Sequence, residues 1–444
     1  MRRFIELIGL DFGSTTSCAL IARAPLLKNT LTGKIERGPL EIVFRSESVF
    51  TPFKNGEIDG EKLHSYLDLW FQKLSPDLLK TGGAIITGLA AQKNNAPEII
   101  KQVESRLSDC LTAVADQPHY ESWLAFMGSS SELSLQNPTT AFLNIDIGGG
   151  TTNFALGQGG EVHSCDFMWI GARHIQFEVG TFRITHVTEK AQETLKKLGI
   201  LDKTELSPSE VQKILNHEIK ILEEKVRSYE KSVITFSGGV GELIYSAIQG
   251  KPLPSQTYYG DLGGELAQAI LDSPLLSKDL KTHVPSQKGR ATVYGLALHS
   301  TQVSGATSFI SHENLLPLKN LPIFGEISPN YLNILPLLET AKKSPIGGCL
   351  QLRFAFENLE EIKKFSIIFS QALRTSQFPL LLPLILLTSK NTGKTLGGYI
   401  TDWGRNPYSL LILDEVEVQK TARFASIGRI RNGVLPVSFY SFSS

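Results

Sequence analysis

Two short segments carry the residue types that phosphate chemistry needs. Asp11-Phe12-Gly13-Ser14-Thr15-Thr16 follows the β-rich run FIELIGL, and Asp146-Ile147-Gly148-Gly149-Gly150-Thr151-Thr152 follows AFLNI. The two aspartates stand 146 − 11 = 135 residues apart. Glycine lacks a Cβ, so its backbone N–H can approach a phosphate closely. Successive N–H groups in such a turn form an anion-binding concavity, and the Ser and Thr hydroxyls add donors. A carboxylate does not face phosphate directly. Asp11 and Asp146 can instead hold Mg²⁺ through water, with the metal bridging to the phosphates. Two such turns face to face would grip a triphosphate from both sides. Either turn alone is equally a tight hairpin capped by an aspartate; the pair, each after a strand, favours phosphate binding. A third glycine segment, SGGVGE, places Gly238, Gly239 and Gly241 after the apolar strand SVITF. It suits contact with a purine and ribose, or simply closes a strand–helix junction.

The elements that must position these turns are legible in outline. FIELIGLDFG and TSCALIARA make a strand hairpin, EIVF a third strand, and EKLHSYLDLWF a helix with Leu63, Tyr66, Leu67 and Trp70 on one face. GGAIITGLAAQ is strand-like up to Thr87-Gly88, a helix follows through PEIIKQVESRL, and LTAVAD is an apolar patch. The order implies an α/β layered domain. The second half opens the same way, with strand, Asp-x-Gly turn and return strand, so the repeat is wider than one motif. Ser129–Thr140 is small and polar and predicts a linker or exposed loop. Ser207–Glu230 predicts a helix, with Ser207 or Ser209 as cap and Val211, Leu215, Ile219, Leu222 and Val226 as its core stripe. RATVYGLALHS predicts another. From about Thr307 the pattern becomes a further β-α-β-α-β unit, in which Phe378–Leu387 predicts a buried strand. Thr388–Thr395, TSKNTGKT, nearly fits the phosphate-loop pattern but lacks its first glycine. An ordinary strand–helix turn is the better reading there.

The 444 residues exceed one core and predict two or three domains. Lys+Arg and Asp+Glu are 44 each, which removes the main electrostatic reason to expect nucleic acid or an anionic membrane as partner. Cys18, Cys110, Cys165 and Cys349 are far apart and form no C-x-x-C, so a disulfide framework or structural zinc is not expected and a reducing, cytoplasmic setting fits. The longest apolar run is too short to span a bilayer. No Ser/His/Asp arrangement or metal-ligand cluster follows from spacing.

The three glycine segments, in this order, resemble the actin, heat-shock chaperone and sugar kinase ATPase superfamily. That resemblance implies an α/β fold of two actin-like (ribonuclease H-like) domains around a nucleotide cleft. HYESWLAFMG and ATVYGLAL resemble the two interdomain connections, which would put Glu121 near the γ-phosphate to orient the attacking water. The alternative for Glu121 is an acid stabilised at a helix N-terminus. Over the whole chain, LNIDIGGGTTNFAL, IGAR, SGGVGE, RATVYGLALHS, LPLKNLPI, ILDEVEV and IGRIRNGVLPVSF are similar to the EutA family of ethanolamine utilization proteins. These are reactivating factors of cobalamin-dependent ethanolamine ammonia-lyase. The family usually has Gly-Gly-Arg where this chain has Gly171-Ala172-Arg173, and the segment beyond is shortened. The resemblance implies domains at 1–135 and 136–306 and a C-terminal α/β extension at 307–444. It also implies ATP with Mg²⁺, the lyase as partner, release of damaged cobalamin, and a cytoplasmic protein; a homo-oligomer and association with a bacterial microcompartment stay open. A small-molecule kinase of the same superfamily and an actin-like scaffold are the competing readings.

Overall fold

Why β1 (Arg3–Phe12) runs through the middle of a sheet follows from its side chains. Ile5, Leu7, Ile8, Leu10 and Phe12 are all buried, so apolar groups cover both faces of the strand. The computed structural model describes residues 3–28, 35–54, 56–106, 118–200, 203–299, 301–304, 307–418, 422–430 and 434–440; the LTAVAD patch lies outside them. β2 (Thr16–Lys28) returns antiparallel to β1. β3 (Ile35–Arg37), β4 (Glu41–Arg45) and β5 (Val49–Phe50) each pair antiparallel with β2. A small hairpin, β6 (Phe53–Lys54) and β7 (Glu57–Ile58), leads into α1 (Gly60–Phe71), which Asp59 caps by accepting the Lys62 N–H at 3.1 Å. β8 (Leu79–Ile86) then lies parallel to β1 on its other side, followed by α2 (Gly88–Ala91) and α3 (Ala96–Arg106).

The second lobe repeats this strand order. α4 (Pro118–Ser129) and α5 (Ser131–Gln136) precede β9 (Phe142–Ile147), β10 (Thr152–Gln158) and β11 (Glu161–Met168). β12 (Ile175–Phe177) and β13 (Ile184–Val187) form a side hairpin before α6 (Glu189–Lys197) and α7 (Pro208–Arg227). β14 (Val233–Ser237) adds parallel to β9, giving the order β11-β10-β9-β14, and α8 (Gly238–Ile248), α9 (Gly263–Asp272) and α10 (Ala291–His299) follow. The first lobe has the matching order β3-β2-β1-β8. In both, a three-strand antiparallel meander is extended by a fourth strand parallel to the first. That is the ribonuclease H-like arrangement. α7 is capped by Ser207 in a capping box with Glu210 and buries Val211, Leu215, Leu222 and Val226, with Ile219 packed at the core's margin.

Two expectations fail here for identifiable reasons. The polar stretch Ser129–Thr140 is not an exposed loop; α5 occupies half of it, and Ser129, Ser130, Ser131 and Ser134 are buried. Their hydroxyls have internal partners: Ser129 reaches the Ala125 carbonyl at 2.7 Å and Ser131 the Met127 carbonyl at 2.6 Å. A satisfied serine can be buried at small cost. Of Phe378–Leu387, only the part from Leu384 is strand; Pro379 and Pro383 lack donors, and Leu380 and Leu381 are exposed.

The remaining chain forms β15 (Thr301–Ser304), β16 (Phe309–Ile310), β17 (Leu318–Glu326), α11 (Ile334–Ala341), β18 (Gly348–Leu352), α12 (Leu359–Thr375), β19 (Leu384–Thr388), α13 (Gly393–Ile400), β20 (Leu410–Leu413), β21 (Phe424–Ile427) and β22 (Leu435–Tyr440). These strands make one eight-stranded sheet, β15-β22-β21-β17-β18-β19-β20-β16. The near-phosphate-loop TSKNTGKT connects β19 to α13, and a carboxylate of the chain itself already serves that helix end. Asp414, fully buried, accepts the Gly393 N–H at 3.0 Å and the hydroxyls of Thr307 and Ser308 at 3.0 and 3.1 Å. No described helix is long and apolar enough to cross a membrane.

Helices α4 and α10 join the lobes. α4 packs on β10 and β11 of the second sheet, α10 on β1 and β2 of the first, and the two cross each other. Glycines make the crossing close. A Cβ on Gly128 would sit 1.9 Å from the Ala291 carbonyl oxygen, and one on Gly295 would sit 2.1 Å from that of Leu124.

Candidate functional site

Each of the two aspartates ends the central strand of its lobe. Asp11 stands opposite Cys18 and Asp146 opposite Asn153. The turns after them close alike: the Gly13 N–H donates to the Thr16 carbonyl at 2.9 Å, and the Gly148 N–H to that of Thr151 at 3.0 Å. The lobes bring the turns into contact. A Cβ on Gly149 would lie 2.6 Å from Thr15 Oγ1 and 3.2 Å from Ser14 Cβ, so only glycine permits this approach. Behind the second turn, the Ala172 and Arg173 N–H groups donate to the Gly148 and Gly149 carbonyls at 3.1 and 2.7 Å. His174 adds Nε2 to the Gly150 carbonyl at 2.8 Å, while its Nδ1 meets Thr188 Oγ1 at 2.8 Å. Burial lowers the His174 pKa, so the ring is neutral, its Nε2–H donating and its Nδ1 accepting.

The other expected residues divide by position. Thr151 lies buried in the second turn, and the Thr152 hydroxyl donates to the Ile170 carbonyl at 2.9 Å, which commits it to the fold. Thr16 is exposed at the start of β2. Gly238 and Gly239 form no separate turn; they open helix α8 directly after β14. Gly238 has φ +78°, and a Cβ there would meet the Ile147 carbonyl at 2.6 Å and Asp146 Oδ1 at 3.0 Å, whereas Gly239 faces open space. Gly241 lies further along the helix, where its bare Cα packs on Phe236.

Three carboxyls meet at this junction. Glu121, in the first turn of α4, is buried, and the acids Asp146 and Asp11 are its main charged neighbours. Burial first, and then those two charges, raise its pKa well above the ordinary glutamate range, against a hydrogen bond with Asn153. Burial pushes Asp11 up to about 6, opposed by hydrogen bonds from Thr292 and Thr87. Burial likewise pushes Asp146 up to about 6, opposed by Ser237. Thr292 Oγ1 donates to Asp11 Oδ2, Thr87 Oγ1 to Asp11 Oδ1 at 3.3 Å, and Ser237 Oγ to Asp146 Oδ2 at 2.6 Å.

Sequence reasoning missed these hydroxyl partners, yet two had a signal. Thr87-Gly88 and Ser237-Gly238 are equivalent: each hydroxyl residue follows or ends the fourth strand, each glycine has positive φ, and each begins a helix. Thr292, Asn153 and His174 had no comparable signal. From the turns, a cleft of about 710 Å³ opens between the lobes, lined by Ser14, Phe53 and Lys93 on one side and Trp169, Arg173 and Lys190 on the other.

Among the described residues no three His, Cys, Asp or Glu lie close enough to hold a metal directly. The acids nevertheless suit a hydrated cation. All three are raised by burial, Glu121 and Asp146 also by like charge, and no lysine or arginine is among the groups acting on them.

Two ribonuclease H-like lobes, paired Asp-Gly turns and two crossing connections define an actin-like protein with an α/β extension. The chain belongs to the family described as ethanolamine utilisation protein EutA, whose model matches residues 3–232 and 226–442. Its relatives include the ethanolamine ammonia-lyase reactivase EutA of Escherichia coli, 25% identical over 98% of both chains. The protein of the same name from Salmonella typhimurium is 26% identical over 71% of both. Among solved structures, a Ppx/GppA family member from Aquifex aeolicus aligns over 93% of this chain and 94% of its own at 13% identity, with a TM-score of 0.35. The fold class rests on the chain's own strand order.

Proposed function

We propose that this chain is an ATP-dependent reactivating factor that acts on ethanolamine ammonia-lyase and releases damaged cobalamin from it during ethanolamine catabolism. The observation that carries the ATP part is the meeting of Asp11, Glu121 and Asp146 beside two glycine turns that touch across the lobes. The partner comes from the relatives' names and from family membership.

In this reading Gly13 and Gly148 close the two turns, the N–H groups of Ser14 and Thr15 and of Gly149 and Gly150 bind the phosphates, and the hydroxyls of Ser14, Thr15, Thr16, Thr151 and Thr152 lie in or beside the turns. Asp11 and Asp146 hold Mg²⁺ through water. When bound, the metal neutralises developing phosphate charge. Thr87, Thr292 and Ser237 fix the rotamers of the two aspartates. Glu121 lies near the γ-phosphate and orients the attacking water. Gly238, Gly239 and Gly241 lie on the nucleoside side. Loss of the γ-phosphate contacts alters the angle between the lobes, and a partner with different affinity for the two angles is remodelled.

The test mixes the protein with lyase inactivated by a cobalamin analogue, ATP, Mg²⁺ and fresh adenosylcobalamin. Deaminase activity should recover with ATP and not without it; recovery no better than the protein-free control refutes the proposal. Asp11→Ala and Asp146→Ala should abolish Mg²⁺-dependent turnover in folded protein, and Glu121→Ala should slow hydrolysis more than it weakens nucleotide binding.

A further inference from the structure

We infer that Asn144 is a positioning residue for Asp146, and that through Ser237 and the serines ending α4 it ties the second aspartate to the helix joining the lobes. The inference rests on the reading of Asp146 as a holder of hydrated Mg²⁺. Asn144 lies two residues before Asp146 on β9, so both side chains leave the same face of the strand. It is buried, as are Ser129, Ser130, Thr235 and Ser237.

The directions of the bonds from Asp146 back to Asn144 are determined. An ionised carboxylate only accepts, so the single Ser237 proton points at Asp146 Oδ2, 2.6 Å away. Ser237 Oγ must then accept from Asn144, and only Nδ2, at 2.9 Å, can donate. The amide is thereby fixed with Oδ1 toward α4, where Ser129 Oγ and Ser130 Oγ lie at 3.0 and 3.1 Å. Ser130 also meets Thr235 Oγ1 at 2.8 Å. Ser129 closes the helix whose first turn carries Glu121, eight residues earlier. One rigid helix therefore carries Glu121 at one end and braces Asp146 at the other.

The first lobe solves the equivalent problem without a side chain. The position two before Asp11 is Gly9, and a Cβ there would lie 2.5 Å from the Val293 carbonyl of α10. In each lobe, then, the residue two before the aspartate touches a connecting helix: Gly9 touches α10 by bare backbone, and Asn144 touches α4 through hydrogen bonds. Only the second contact can be removed without a clash.

The experiment follows a fluorescent ATP analogue bound to the full-length protein while Mg²⁺ is titrated. Asn144→Ala and Ser237→Ala should each raise the half-saturating Mg²⁺ concentration about tenfold. Ser237→Thr, which keeps the hydroxyl, should stay near wild type. Asp146→Ala should lose the Mg²⁺ dependence, and adding Asn144→Ala to it should change nothing further. An unchanged Mg²⁺ midpoint in Asn144→Ala and Ser237→Ala, beside a large effect of Asp146→Ala, overturns the positioning role alone. Equal loss in Ser237→Thr and Ser237→Ala does the same. No effect of Asp146→Ala overturns the underlying metal reading instead. If near-ultraviolet circular dichroism shows Asn144→Ala to be unfolded, the Ser237 pair decides.

Discussion

Gly295→Ala puts two opposed effects on one residue. Alanine is the better helix former by about 1 kcal/mol, so propensity alone predicts a more stable protein. Packing predicts the reverse. The new Cβ would lie 2.1 Å from the Leu124 carbonyl oxygen, 2.7 Å from its carbon and 2.9 Å from its Cα. Cβ contacts essentially never fall under 3.0 Å, so α4 and α10 must part by at least 3.0 − 2.1 = 0.9 Å. All three obstructing atoms are backbone and cannot rotate aside. Overpacking of this kind costs about 1–3 kcal/mol, and rigid backbone puts the site at the upper end. After the propensity gain, a net loss of ~2 kcal/mol remains, or a melting temperature lower by ~4–8 °C for lobes of this size. ATP turnover should fall as well, because α10 carries Thr292, which holds Asp11, and α4 carries Glu121. Differential scanning calorimetry and a phosphate-release assay read the two effects. Gly264→Ala is the control: its Cβ would be 3.6 Å from its nearest neighbour and should leave melting unchanged or slightly raised. If Gly295→Ala melts at or above wild type, the crossing is not the tight contact argued here.

Two further outcomes are expected. Glu218, on α7 beside Ala172, Ile214 and Leu262, is pushed up to about 8 by burial. A folded-state pKa above the unfolded value means stability is full below about pH 4.5 and is lost as pH rises through 8. Glu218→Gln should therefore flatten stability across this window, by ~2 kcal/mol after discounting for partial solvent access, as urea unfolding at pH 5 and 8.5 would show; parallel pH profiles would refute it. Asp414→Ala removes the acceptor of the buried Gly393 N–H at the start of α13 and of two part-buried hydroxyls, and should cost ~2–4 kcal/mol by chemical denaturation, whereas a loss under 1 kcal/mol would mean the end of α13 is served by something else.

What the sequence made legible was set by local chemistry. Asp11 and Asp146, each between an apolar strand and a glycine turn, are visible because strand, acid and glycine are adjacent in the chain. The helix Pro208–Arg227 is visible because its stripe and its Ser207 cap are both local. The acid partners were hidden by distance: Thr292 lies 292 − 11 = 281 residues from Asp11, and Ser237 lies 237 − 146 = 91 from Asp146. The buried serines of 129–134 misled because polarity usually marks a surface, and here the hydroxyls are spent on Asn144, Thr235 and helix carbonyls. SGGVGE, read as a purine contact or a strand–helix junction, does join β14 to α8, and its Gly241 is there to admit Phe236.

The C-terminal sheet is fastened unevenly. Val434 inserts among Ile5, Leu7, Ala24 and Ile35 of the first lobe, Phe424 lies against Ile85, Tyr120, Trp123 and Leu296, and β15 begins two residues beyond α10. These contacts are to the first lobe and to helices α4 and α10, so in the proposed mechanism a rotation of the lobes would carry the sheet with the first lobe. A lobe rotation of about 15° would sweep a point about 30 Å from the pivot through ~8 Å. On the proposed mechanism, a small shift at Gly149 would be magnified at the far edge of the eight-stranded sheet into a movement of the size that separates two packed surfaces.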